Sequence, residues 1–159
     1  MEIPALNPHN KTEYPPMHTA EHLLNQTMVR LFGCERSRNA HVERRKSKIS
    51  YNLPSCPTKE QLTEVVARMN QLIQADLPVT YEFLPIDQVP SSVSLEKLPD
   101  DASQLVRLVH IGDYDVCACI GAHVESTACL GEFILLGTNW DEERHSFRIR
   151  FKLRENTSH

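Results

Sequence analysis

Apolar residues in the first third of the chain recur at helical spacing. Ala20, Leu24, Met28 and Leu31 are separated by four, four and three positions, which predicts one buried stripe on a helix over about 17–32. Pro15 and Pro16 precede it, and Gly33 follows in the usual C-terminal position. The polar, Pro-rich segment 1–16 reads as an irregular leader. "KSKISYNL" (46–53) alternates with period two and predicts a strand. Thr58 and Gln61 form a capping-box pattern, and Leu62, Val65, Val66, Met69, Leu72 and Ile73 mark the inner face of a second helix. Beyond Pro78, "VTYEFL" (79–84) is strand-like. The Pro- and Ser-rich stretch 85–101 predicts a long loop with one helical turn. "LVRLVHI", "YDVCAC", "EFILLG" and "HSFRIRFKL" then read as strands. The last two are expected to form an antiparallel hairpin across "TNWDEER". Helices and strands come in blocks, so the expected class is α+β, with helices packed on an antiparallel sheet. One domain is expected over residues 17–159.

Composition changes this picture little. No apolar run approaches the roughly 18 residues of a membrane span, and the N-terminus is neither a signal nor a transit peptide, which predicts a cytoplasmic protein. The net charge of −4 excludes a uniformly basic nucleic-acid binder. Charge is uneven, however. "ERRKSK" and "RIRFKLR" are locally basic, so Arg44, Arg45, Lys46, Arg148 and Arg150 are candidates for contact with a phosphate backbone; ordinary solvated surface charge is the plainer reading. Five cysteines in no scaffold pattern suggest metal or catalytic chemistry rather than disulfides.

Two pairs stand out. His18 and His22 lie four apart, so on a helix their rings share one face, away from the apolar stripe. Cys119 and His123 are also four apart, with Gly121 between them to permit a tight turn. One thiolate and three imidazoles suit a tetrahedral Zn²⁺ site. Cys117 competes with Cys119, because i and i+2 share a strand face. A buried cysteine with hydrogen-bonded histidines accounts for the same residues without metal. Glu21 also completes H-x-x-E-H, the inverted zinc-protease signature with the Glu as general base, but that reading leaves Cys119 and His123 unexplained.

"HTAEHLLNQTM" followed by "CIGAHV" and T-x-x-L-G resembles the editing domain of alanyl-tRNA synthetases, its freestanding AlaX-type relatives and the related threonyl-tRNA synthetase domain. The matching positions are His18, Thr19, His22, Leu23 and Leu24, then Cys119, Gly121, His123, Val124, Thr127 and Gly131. Asn70 falls at the Asn of the family's middle helix. The resemblance covers about residues 17–153. It implies the second additional domain fold of class II synthetases and a zinc held by His18, His22, Cys119 and His123. It further implies hydrolysis of serine or glycine wrongly esterified to alanine tRNA, with aminoacylated tRNA as partner. Thr19 and Glu21 are the candidates for catalytic contact. Ala122 departs from the family's Thr beside the ligand, and the single Gly of "CIGAH" leans toward the threonyl branch. An RNA-binding module with a structural zinc is the alternative class.

Overall fold

A computed structural model describes residues 14–37, 39–90, 93 and 105–154. The elements run α1 (Pro15–Phe32), β1 (Asn39–Val42), β2 (Ser47–Asn52), α2 (Lys59–Gln74), β3 (Val79–Pro85), β4 (Leu105–Ile111), β5 (Asp115–Ala118), β6 (Glu132–Asp141) and β7 (Ser146–Arg154). Short 3₁₀ turns lie at Ile86–Gln88 and Thr127–Leu130. The class is α+β, as expected, but the strands form two antiparallel sheets instead of one. The first has the order β1-β2-β7-β6 and the second β3-β4-β5.

Helix α1 begins at the two prolines and ends on Gly33, whose φ of 67° is the left-handed cap that only glycine adopts without strain. It is not the one-sided amphipathic helix that the stripe predicts. It touches α2, β1 and β7 of the first sheet and β5 of the second. Every residue from Met17 to Asn25 is buried. His18, Thr19, Glu21, His22, Asn25 and Thr27 therefore need partners inside the protein. Helix α2 carries the full capping box, with the Thr58 and Gln61 side chains each accepting from the other's backbone N–H. Its Val65, Met69 and Ile73 face the core.

Two side chains of α2 and the Thr127 turn close the fold around the site. The Asn70 amide mimics a strand partner: it accepts from Phe133 N (2.8 Å) and donates to Phe133 O (3.2 Å). The buried Thr127 hydroxyl accepts from Leu77 N (2.8 Å) and donates to Leu72 O (2.7 Å), so it satisfies the end of α2. The β6–β7 hairpin is longer than expected. Residues 138–141 of the presumed loop continue β6, and the turn lies at 142–145. Residues 1–13 of the expected leader and the larger part of the 85–101 loop lie outside the described residues, while Pro15 and Pro16 belong to α1 and not to the leader.

Candidate metal centre

Helix α1 and the loop after β5 bring His18, His22, Cys119 and His123 together. One donor atom from each lies within 4.8 Å of every other. The rings of His18, His22 and His123 pack mutually, with centroids 4.2 to 5.0 Å apart. His18, His22 and Cys119 are buried and His123 is half-buried. Metal–donor bonds of about 2.0–2.3 Å put tetrahedral donors roughly 3.3–3.8 Å apart, so a contraction of under about 1.5 Å suffices for an ion. The cluster can hold a metal. Cys117 is not among the four, and its thiol faces Ala118 O.

Each ring turns its Nδ1 away from the cluster, although His22 stands at 76–86° to the other two. His18 Nδ1 lies 3.0 Å from the Ala122 carbonyl, which fixes it as the donor and leaves Nε2 3.4 Å from Cys119 Sγ. His123 Nδ1 lies 3.0 Å from Thr19 Oγ1, which also accepts from Val124 N at 3.2 Å. His22 Nδ1 faces Asp115 Oδ2 at 3.8 Å. Three Nδ1 atoms thus face oxygens outside the cluster, and three Nε2 atoms are left to converge.

The Cys119 thiol lies among groups that favour its thiolate. Burial alone raises its pKa, but the hydrogen bond and charge of His18, the Gly121 N–H at 3.4 Å and the Arg107 guanidinium outweigh burial and lower it below 9.0. Arg107 is 5 % exposed in β4. Its Nε donates to Cys119 O at 2.7 Å, its Nη2 donates to Gly121 O, and its guanidinium lies 4.8 Å over the Tyr81 ring. The far end of the loop is stitched to β3 through Val79 N to Glu125 O (2.8 Å) and to the connection before it through Thr127 N to Leu77 O (2.9 Å).

The two remaining site candidates also reach the cluster. Thr19 is fully buried, and its hydroxyl faces His123 and Val124. Glu21 is 3 % exposed, with Oε1 4.0 Å from His18 Nε2. Arg107 and Asp115 were not anticipated. Neither carries a spacing signal, because each acts across strands or from strand to helix.

The basic candidates fall elsewhere. Arg44, Arg45 and Lys46 are exposed in the β1–β2 turn. Arg148 and Arg150 are exposed on the outer face of β7, and strand register joins to them two further residues of the same basic segments. Lys48 lies opposite Arg150, and Lys152 continues the same face. Gly137 makes room for Arg150, since a Cβ there would meet its Nη2 at 2.6 Å. Asn39, His41, Lys48, Ser50 and Arg148 line a depression of about 290 Å³ on this face.

Residues 106–150 match the family described as the threonyl and alanyl tRNA synthetase second additional domain. The chain is 29 % identical to an alanine–tRNA ligase of Treponema denticola over 119 residues, 74 % of this chain and 20 % of that protein. It is 29 % identical to the Bacillus subtilis alanine–tRNA ligase over 117 residues, 73 % of this chain and 13 % of that protein. The Haemophilus influenzae enzyme gives 27 % over 123 residues, 77 % and 14 %. The chain is thus similar to the second additional domain of threonyl and alanyl tRNA synthetases and to part of the alanine–tRNA ligases, and it spans a fifth or less of the length of these relatives. Among the described residues, no helix is long and apolar enough to cross a membrane.

Proposed function

We propose that the protein is a zinc-dependent hydrolase that deacylates mischarged tRNA, removing serine or glycine from alanine tRNA. The convergence of His18, His22, Cys119 and His123 carries the proposal, because this soft thiolate and imidazole set matches zinc. A zinc ion held there supplies a Lewis acid for the ester carbonyl and activates water near neutral pH.

The chain's own residues do the rest. Ala122 O and Thr19 hold His18 and His123 with Nε2 inward. His123 is the most exposed of the four and borders the exposed Ala122, so the aminoacyl ester enters from this side, and His123 would be the loosest of the four in holding the ion. Thr19 orients His123 rather than meeting the substrate, since its hydroxyl is buried between two partners. Glu21 accepts or returns a proton at the edge of the cluster.

Incubation with seryl- and glycyl-tRNA(Ala) and with seryl-tRNA(Thr), with and without chelator, tests the reading. Chelator-sensitive release of the amino acid from alanine tRNA is expected. Release from threonine tRNA alone assigns the chain to the threonyl branch. The closed arrangement of four donors also suits a structural ion. Tight tRNA binding with no deacylation of any of these substrates makes the protein an RNA-binding module instead.

The tRNA phosphates are proposed to lie on Arg44, Arg45 and Lys46 and on the outer face with Lys48, Arg148, Arg150 and Lys152. The like charges of Lys48 and Arg150 stand directly opposite each other, an arrangement that costs energy until an anion lies between them. Binding should weaken linearly with log salt, by about 0.7 to 0.9 log units per log unit of salt for each phosphate contact. Removing the charges of Lys48, Arg148 and Arg150 together should reduce that slope by about two to three. An unchanged slope would place the RNA on another face.

A further inference from the structure

Asp115 sits at the first residue of β5 with its side chain fully enclosed. A buried carboxylate is costly unless it is held, and this one is held from several sides. Arg36 Nη1 donates to Oδ1 at 2.7 Å and Nη2 reaches Oδ2 at 3.4 Å. Gln26 Nε2 reaches Oδ1 at 3.2 Å and the neighbouring Tyr114 O at 3.0 Å. Arg30 donates to Tyr114 O at 2.6 Å. The shorter contacts fall on Oδ1. Oδ2 is the oxygen turned to His22, 3.8 Å from Nδ1, and both side chains are inaccessible to solvent.

We infer that Asp115 is a positioning residue for the metal centre: its Oδ2 accepts the Nδ1 proton of His22, which fixes the tautomer that presents Nε2 to the ion. The inference rests on the metal reading above. A movement of about 1 Å brings the pair to hydrogen-bond distance. His18 and His123 are oriented by neutral groups, the Ala122 carbonyl and the Thr19 hydroxyl. His22 faces a carboxylate, which also raises the basicity of the ring as a ligand. Arg36, which follows α1, then has a role beyond tying its loop to β5. It pins Oδ1 of Asp115 in an enclosed place and leaves the second oxygen turned to the ring.

A merely structural ion pair between Arg36 and Asp115 makes different predictions, and two measurements separate the cases. The first is the long-range ¹H–¹⁵N spectrum of the histidine rings in the metal-free full chain. His22 is expected as the Nδ1–H tautomer, moving toward a mixture in Asp115→Asn. His22 found as Nε2–H in the wild type overturns the inference without any variant. The second is zinc affinity by chelator competition. Asp115→Asn should bind zinc about 10- to 100-fold more weakly, the range for an outer-sphere partner. The double variant Arg36→Met with Asp115→Leu should do the same while leaving no uncompensated charge to unfold the protein. Zinc affinity within twofold of wild type in either folded variant overturns the inference. Neither readout uses activity. A wild type that never deacylates tRNA but shows the tautomer and the affinity loss ends the editing proposal alone. A wild type that deacylates while Asp115→Asn keeps its zinc ends this inference alone.

Discussion

Cys119→Ala is expected to lose deacylation by more than the about 10²–10³-fold that a single polarising donor contributes, together with the zinc itself. Elemental analysis of protein prepared without chelator should find about one zinc per chain in the wild type and none in a His22→Ala, Cys119→Ala double variant. The reason is geometric. Cys119 is the only sulfur in a cluster otherwise made of three imidazoles, and it joins the loop after β5 to α1 through His18. Glu21→Gln gives the contrasting result. Its carboxylate lies 4.0 Å from His18 Nε2, at the border of the cluster, so the variant should keep its zinc and lose at most about 10²-fold in rate. In an inverted zinc protease Glu21 would be the general base and its loss would abolish activity with the metal in place. Peptide cleavage that vanishes in Glu21→Gln, with no tRNA deacylation by any variant, would sink the editing reading.

The parts of the fold that repeat a local rule were legible before the structure. The stripe of α1 and its Gly33 cap, the Thr58 box and the apolar face of α2 each follow from a spacing of a few residues. What escaped was set by contacts distant in sequence. Strand β1 has only four residues, three of them exposed, so it lacks any alternation and exists through its register with β2. The β6 strand passes a register shift between Leu135 and Gly137, which breaks its period and made Thr138–Asp141 look like a loop. One sheet was expected because strands arranged in blocks do not say which of them pair.

The site was divided in the same way. The two four-spaced pairs pointed to the donors, because ligand geometry requires such spacings on a helix and across a tight turn. The groups that orient the donors left no trace of this kind. Asp115 is four positions before Cys119, yet its carboxylate faces His22 on another element at 3.8 Å. Lys48 joins the basic face only because β2 pairs with β7. Glu21, by contrast, is three positions after His18, and that helical spacing places its carboxylate 4.0 Å from His18 Nε2.

Arg107→Met should lower stability by about 3 kcal/mol and also weaken zinc binding. The β4–β5 ladder runs as far as Leu108 opposite Ala118, and one further backbone bond joins Cys119 N to Arg107 O at 3.2 Å. Beyond that point the ladder no longer uses the carbonyls of Cys119 and Gly121. The Arg107 guanidinium takes both, with its face against Tyr81. A hydrogen bond to a charged group contributes about 1.5–3 kcal/mol, and a buried carbonyl left without a partner costs a similar amount. At about 2–4 °C per kcal/mol for a chain of this size, thermal unfolding of the metal-free protein should fall by roughly 6–12 °C. Arg107→Lys should recover part of this, because one ammonium cannot reproduce the planar fork that spans two carbonyls. The two carbonyls lie on either side of Ile120, in the turn that aims Cys119 and His123 at the helix. Loosening that turn should therefore lower zinc affinity in the metal-competition assay by about tenfold or more, comparable to loss of an outer-sphere partner. A variant that melts early but holds zinc as tightly as the wild type would show that Arg107 supports the sheet and not the centre.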